Sequence, residues 1–463
     1  MAKSKAQKRK RQGQVELPQK SAKVNGGTIT PPPDGKQSAA EPAVRSLNTL
    51  VDEEDLEATI DTLNTLAEHP NVIKSKQCKD LRTAVYTFRQ ACTTGVNAAS
   101  ETNLTSRISA ALADEKYLDA RILLAEMRIR GEKPKLGALC RWVRDLDVVS
   151  GLSSTADDKA ATAHRSERDK ELLRVMDSVL RVTGTIDHSR KATAPWRKGS
   201  VIALQEIWRI GNGDIRCLSL PVLEMVQDGS IFERFPAAQK SAVHALDVTP
   251  GPERKPPNHH PAILYTTEPG VVDIPKGEKM TSLEKHPVVP ELSMILNVFT
   301  PRECQNIVAA AEAAGFIPDT PIRQGVSEAE SSVLAHNFYW LIDEALERVV
   351  WERVREYVPE QVGGKKARCL NRRFRVYRYV PGAEYRAHID GAWPPSGICP
   401  TSGKYVYDSS PPEAKQSSLF TFLIYLNADF EGGETTFFLP AAREGVLNAY
   451  PVKPVQGAVL MFP

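Results

Sequence analysis

The sequence predicts an α+β protein: a helical N-terminal region followed by a β-rich domain of sandwich or jelly-roll type, with helices buttressing one face. Three observations carry this expectation. Apolar residues recur at three- to five-residue steps through the region from about residue 46 to about 150, the helical period. The proline-rich string from Thr249 to Pro257 excludes regular structure and reads as a domain boundary. From Phe374 onward the pattern shortens to β-rich segments separated by Pro and Gly clusters.

A chain of 463 residues exceeds one ordinary domain and has room for a sizeable core. Hydrophobic content of 41% with 25% charged residues fits a soluble globular protein, and a net charge of +3 is too small to imply a nucleic-acid coat or a membrane partner. The seven cysteines are scattered, odd in number and without a C-x-x-C pair, so neither a disulfide scaffold nor a zinc ribbon is expected. No apolar leader opens the chain, and no apolar run reaches the roughly 18 residues a membrane span needs. These features predict a cytoplasmic or nuclear protein that is neither secreted nor membrane-bound.

Residues 1–45 carry Lys8-Arg9-Lys10-Arg11 and Pro31-Pro32-Pro33 with few large apolar side chains, and read as a disordered basic tail. The basic cluster suits a nuclear import signal, a weak RNA contact, a mitochondrial presequence or a solubilising tail. Residues 46–185 read as a helical domain. Leu50, Val51, Leu56, Ile60, Leu63 and Leu66 form one apolar stripe. A helix through Ile108, Leu112, Leu118, Ile122, Leu123 and Met127 is followed by a Gly131-x-x-Pro134 break and a second helix through Leu139, Trp142, Val143 and Leu146. The run from Asp119 to Asp147 resembles a single pentatricopeptide repeat, which implies either one RNA-reading unit or an ordinary helical hairpin. One more helix is predicted through Leu172, Val175, Val179 and Leu180, and residues 186–258 read as a linker or irregular region.

Within 259–463, Met294–Phe299 reads as a strand. Thr300-Pro301-Arg302-Glu303 then supplies a capping residue, a proline at the first helical position and the glutamate of a capping box, with the helix stopping at Gly315. Ser327 with Glu330 predicts a longer helix through Phe338, Leu341, Leu346 and Val354. Strands are predicted over 374–380, 405–407, 419–426, 435–439 and 458–462.

The candidate chemistry lies in Tyr385-Arg386-Ala387-His388-Ile389-Asp390. Residues i and i+2 of a strand share a face, so His388 and Asp390 can reach one metal ion from one side. With 9 His and 57 acidic residues, about one such pair is expected by chance, so the motif depends on its surroundings. Those surroundings are the run Phe374–Tyr385, then Phe422-Leu423-Ile424-Tyr425-Leu426-Asn427, then Phe430-Glu431-Gly432-Gly433-Glu434-Thr435-Thr436-Phe437, and finally Gly457–Pro463. Together, over roughly residues 290–463, they resemble the prolyl 4-hydroxylase-like branch of the iron(II)- and 2-oxoglutarate-dependent dioxygenases.

The resemblance implies a double-stranded β-helix in which two histidines and a carboxylate hold Fe(2+), His388 and Asp390 matching the first two ligands. It implies 2-oxoglutarate as cosubstrate, O2 as oxidant and L-ascorbate as reductant, with decarboxylation to succinate coupled to hydroxylation of a protein side chain, proline by default. Tyr379 and Tyr425 match positions that contact the 2-oxoglutarate carboxylate, core packing being the alternative for each. The resemblance also places the third iron ligand and the basic partner of that carboxylate after Phe462-Pro463. The dioxygenase domain is therefore expected to be incomplete at its C-terminus and to bind iron weakly. The rival expectation is a catalytically inactive oxygenase fold serving an interaction or RNA-binding protein that meets its RNA or protein partner through the helical N-terminal half.

Overall fold

The computed structural model describes residues 51–94, 103–148, 152, 165–188, 199–210, 219–254, 259–277, 280–317 and 336–463. The expected disordered tail, its basic cluster and the Ser327–Glu330 cap lie outside them. Two compact units divide the chain between Ala84 and Val85. In the first, α1 (Glu53–Ala67) and α2 (Pro70–Ile73) precede the start of α3 (Lys79–Thr94). The helical stripe is present on α1, but Ile60 and Leu63 remain exposed and no residue of that helix is buried.

The second unit contains a four-helix cluster of α4 (Leu104–Ala113), α5 (Tyr117–Ile129), α6 (Leu136–Leu146) and α7 (Glu167–Thr183). Asn103 and Ser166 cap α4 and α7 by accepting from the backbone N–H groups of Thr105 and Asp169. The expected break falls between α5 and α6, where Gly131 takes φ +67°. Both α5 and α6 pack chiefly on α4 and α7, so the four form a small bundle rather than a stacked repeat hairpin.

The region 186–258, read as a linker, instead contributes to the sheets. It carries β1 (Ile202–Leu204), α8 (Leu223–Asp228) and β2 (Val243–Thr249). Next come β3 (Ala262–Thr267), β4 (Ser282–Lys285), β5 (Ser293–Leu296), α9 (Pro301–Ala314), β6 (His336–Leu341) and α10 (Glu344–Val354). The short pair β7 (Gln361–Val362) and β8 (Lys365–Lys366) precedes β9 (Arg373–Arg378), and a second short pair is β10 (Gly397–Ile398) and β11 (Tyr405–Val406). The chain closes with β12 (Thr421–Ile424), β13 (Thr435–Pro440), β14 (Leu447–Val452) and β15 (Val459–Phe462).

The larger sheets have orders β1-β14-β13, β12-β15-β5-β4 and β2-β3-β6-β9. Because β2 pairs antiparallel with β3, the proline-rich string joins two partners in one sheet and is not a domain boundary. The long helix expected through Phe338 is also corrected: its first part is β6, paired with β3 and β9, and a new helix begins after Asp343, whose carboxylate caps Ala345 and Leu346. Phe338 and Trp340 enter the core from one face of β6, a two-residue alternation that the run of large side chains obscures.

Layers follow from three clusters. Helices α4–α7 pack on the outer face of the β1-β14-β13 sheet through Ile202, Phe438, Leu447 and Ala449, so the helical region shares a core with strands far along the chain. The opposite faces of β13 and β14 supply Phe437, Leu439, Tyr450 and Val452 to an inner core with Met294, Leu423, Tyr425 and Leu460. Helices α9 and α10 cover the outer sides of the other two sheets. The capping box on α9 forms as expected, Thr300 and Glu303 bonding reciprocally. Gly457 must be glycine: at φ +79° a Cβ would collide with the Phe299 carbonyl, and its own N–H and C=O bond Tyr425 and Phe299.

Candidate metal centre

The segment bearing His388 and Asp390 was expected as a strand, but the chain from Tyr379 to Ser396 is irregular and joins no ladder. Side-chain alternation nevertheless survives. Ala387 and Ile389 pack against the helical cluster, which turns His388 and Asp390 the other way. His388 Nε2 stands 3.1 Å from Asp390 Oδ1. His388 Nδ1 lies 2.8 Å from the Arg386 carbonyl, which can only accept, so Nδ1 carries a proton. Asp390 Oδ2 accepts from Thr421 Oγ1 at 2.5 Å.

In the neutral imidazole, therefore, the Nε2 lone pair faces a carboxylate oxygen, two acceptors in contact. That contact requires a cation between them, either a proton on Nε2 or a metal ion. Ligands about 2.1 Å from one metal at right angles lie about 3 Å apart, so the observed separation suits adjacent coordination positions. Burial pushes the Asp390 carboxyl up, but the bonds from His388 and Thr421 outweigh it and hold the group below its ordinary value, as a carboxylate at neutral pH.

Tyr425 is 9% exposed and its hydroxyl lies 2.7 Å from Thr435 Oγ1. Burial raises its phenol above the ordinary value and the nearby Tyr379 adds to this, against the bond to Thr435, so it remains a neutral hydrogen-bonding group. Tyr379 is 53% exposed, with its ring centroid 6.2 Å from that of Tyr377. The Tyr385 ring stands 4.2 Å from the His388 imidazole at 71°, a wall rather than a ligand. The turn before β13 uses Gly432 and Gly433 at φ +71° and +68°, as a tight connection requires.

Two groups of residues escaped the sequence reading. On β9, Arg373 and Arg375 share a face with Tyr377, the three standing opposite Leu341, Tyr339 and Asn337 of β6 respectively. The Arg373 guanidinium lies over Tyr339 at 4.1 Å and within 5.8 Å of Trp393 and Tyr407, while its buried Nε has no hydrogen-bond partner. Two-residue alternation back from Tyr379 would have found both arginines. The second group comes from α6: Arg386 forms an ion pair with Asp147, and Cys140 Sγ lies 3.6 Å from the Asp390 carbonyl. Separated by 239 positions, Arg386 and Asp147 carry no local signal of their contact.

Among the described residues no cluster of three or more His, Cys, Asp and Glu side chains is placed to hold a metal ion. Two of the expected ligands are thus brought together without a third from those residues. No family model, curated protein or solved structure matches the chain.

Proposed function

We propose that the chain is an iron(II)- and 2-oxoglutarate-dependent dioxygenase of the prolyl 4-hydroxylase type that hydroxylates a protein side chain, with its sheets arranged as a double-stranded β-helix. The observation that carries the reading is the 3.1 Å approach of His388 Nε2 to Asp390 Oδ1, with Nδ1 and Oδ2 already committed to Arg386 and Thr421. The two remaining donor atoms, which face each other, therefore suit a metal that needs a neutral imidazole and an ionised carboxylate.

Iron, when bound, would supply activation of dioxygen and chelation of the 2-oxo acid. The chain's own residues hold and orient. The Arg386 carbonyl fixes the His388 tautomer, and Thr421 locks the carboxylate rotamer. Tyr425 and Tyr379 offer phenol hydroxyls to the cosubstrate's carboxylate, with L-ascorbate as external reductant. Arg373 and Arg375 add positive charge to the face that carries Tyr377, favouring a dianionic cosubstrate or an acidic stretch of a protein substrate.

The test is a Co(II) titration of the 463-residue protein, repeated with Fe(II), 2-oxoglutarate and O2 while succinate is measured. Saturable Co(II) binding abolished in His388→Ala is expected, with succinate formed by the Fe(II)-loaded protein. Co(II) binding that is absent or unchanged in that variant removes the metal centre. Binding without any succinate, even at saturating Fe(II), favours the second reading, an interaction or RNA-binding protein. The exposed Ile60 and Leu63 on α1 speak for that alternative. No helix among the described residues is long and apolar enough to cross a membrane.

A further inference from the structure

We propose that the Arg386–Asp147 ion pair is a strut through which helix α6 sets the orientation of the His388 imidazole, making the helical cluster part of the metal-binding machinery. The inference rests on the metal-centre reading above and adds to it a role for a region that the motif does not include.

The path is continuous. Helix α6 ends on Asp147, a non-glycine residue held at φ +51°, ψ +45°. That left-handed turn presents both its carboxylate and its carbonyl to Arg386, whose side chain is only 15% exposed. The Arg386 backbone carbonyl is the acceptor for His388 Nδ1–H at 2.8 Å, the bond that leaves Nε2 free to bind. Flanking contacts act in the same sense: Ala387 and Ile389 pack on the helical core, and Cys140 of α6 reaches the Asp390 carbonyl. Since the segment joins no β-ladder, its position is set by these side chains and by Thr421. A largely covered, paired arginine two residues before a candidate ligand fixes that ligand's backbone as a ladder would. Asp147 is thus a positioning residue, since it touches neither metal nor substrate.

The experiment compares Co(II) titrations, followed by the metal's visible absorption, for the wild-type chain, Asp147→Asn, Asp147→Glu and Arg121→Gln. Asparagine tolerates the left-handed backbone but removes the charge. Arg121→Gln breaks the α5–α7 ion pair to Glu171 and touches nothing in the 386–390 segment. Asp147→Asn is expected to weaken Co(II) binding about tenfold or more, the usual effect of losing a group that orients a ligand, and to alter the absorption band. Asp147→Glu should restore most of the affinity, and Arg121→Gln should bind as wild type does. The strut is refuted if Asp147→Asn binds Co(II) normally, if Asp147→Glu rescues nothing, or if Arg121→Gln loses as much affinity. A wild-type chain that binds no Co(II), or whose binding survives His388→Ala, refutes the metal centre itself and the strut with it.

Discussion

The β5–β15–α9 region is buried and the 386–390 segment only partly so, with His388 exposed, and the two are held in different ways. The first is fixed by backbone ladders. β15 pairs on both sides with β5 and β12, α9 is closed by its capping box, and Arg353 ties α9 to α10 through Glu303 in an ion pair whose side chains are 2% and 3% exposed. The second has no ladder and hangs on the Arg386–Asp147 ion pair, hydrogen bonds from Thr421 and Cys140 to Asp390, and the apolar contacts of Ala387 and Ile389. A ladder distributes its constraint over many equivalent bonds, whereas a side-chain-held segment concentrates it in a few. Changes in the first region should therefore cost stability and spare the metal site. Changes in the second should do the reverse.

The largest expected effect is at the buried ion pair. Arg353→Met leaves the Glu303 carboxylate buried without its partner guanidinium and should cost about 3–5 kcal/mol in urea unfolding, because an uncompensated buried charge is far more costly than the intact pair is favourable. The double variant Arg353→Met/Glu303→Leu should recover much of this. A single variant as stable as the wild type would show that the helices are not held by the pair.

Next in size is a pH effect in the same region. His286 sits edge-on to the Trp208 and Tyr450 rings, accepts at Nδ1 from the Val288 and Val289 N–H groups, and is pushed by burial from its ordinary value down to about 4. The unfolded chain takes up a proton near pH 6.5 that the folded chain refuses, so the stability is complete above that pH and is lost as pH falls toward 4. The loss is on the order of 1–2 kcal/mol, since solvent at the half-buried ring screens part of the effect. Urea midpoints between pH 7 and 5 should fall steeply in the wild type and more gently in His286→Gln. Parallel slopes would remove His286 as the cause.

The same contrast explains what the sequence could disclose. Helix α9 was legible because its start and stop signals lie within a few residues of the elements they punctuate. The alternation that turns His388 and Asp390 to one side was legible for the same reason, although the strand expected to carry it does not form. By contrast, β1 pairs with β14 across more than half the chain, and neither strand carries a mark of the other, so 186–258 read as a linker. Strand β6 reads as helix because Phe338, Leu341 and Ile342 sit at helical spacing while Phe338 and Trp340 carry the alternation, and the deciding information lies in β3 and β9. At the site, ligand types are written in six adjacent residues. What orients them comes from α6 and β12, which only the fold brings near.

The smallest expected change in stability is also the most discriminating. Thr421 opens β12, paired with Phe462, and its hydroxyl is the bond that holds Asp390 Oδ2. Thr421→Val keeps the shape and the ladder, so unfolding should shift by only about 1 kcal/mol, the net worth of one hydrogen bond. Asp390, however, loses one of the two bonds that keep its carboxyl below the ordinary value against the pull of burial. Its folded pKa rises, but the group stays a carboxylate at neutral pH, so what it loses is its fixed orientation. With the carboxylate no longer fixed in one rotamer, Co(II) affinity should fall severalfold, while the urea midpoint barely moves. If the affinity stays where it is, Asp390 is held by something other than Thr421. If stability and affinity fall together, the segment belongs to the ladder-held class after all.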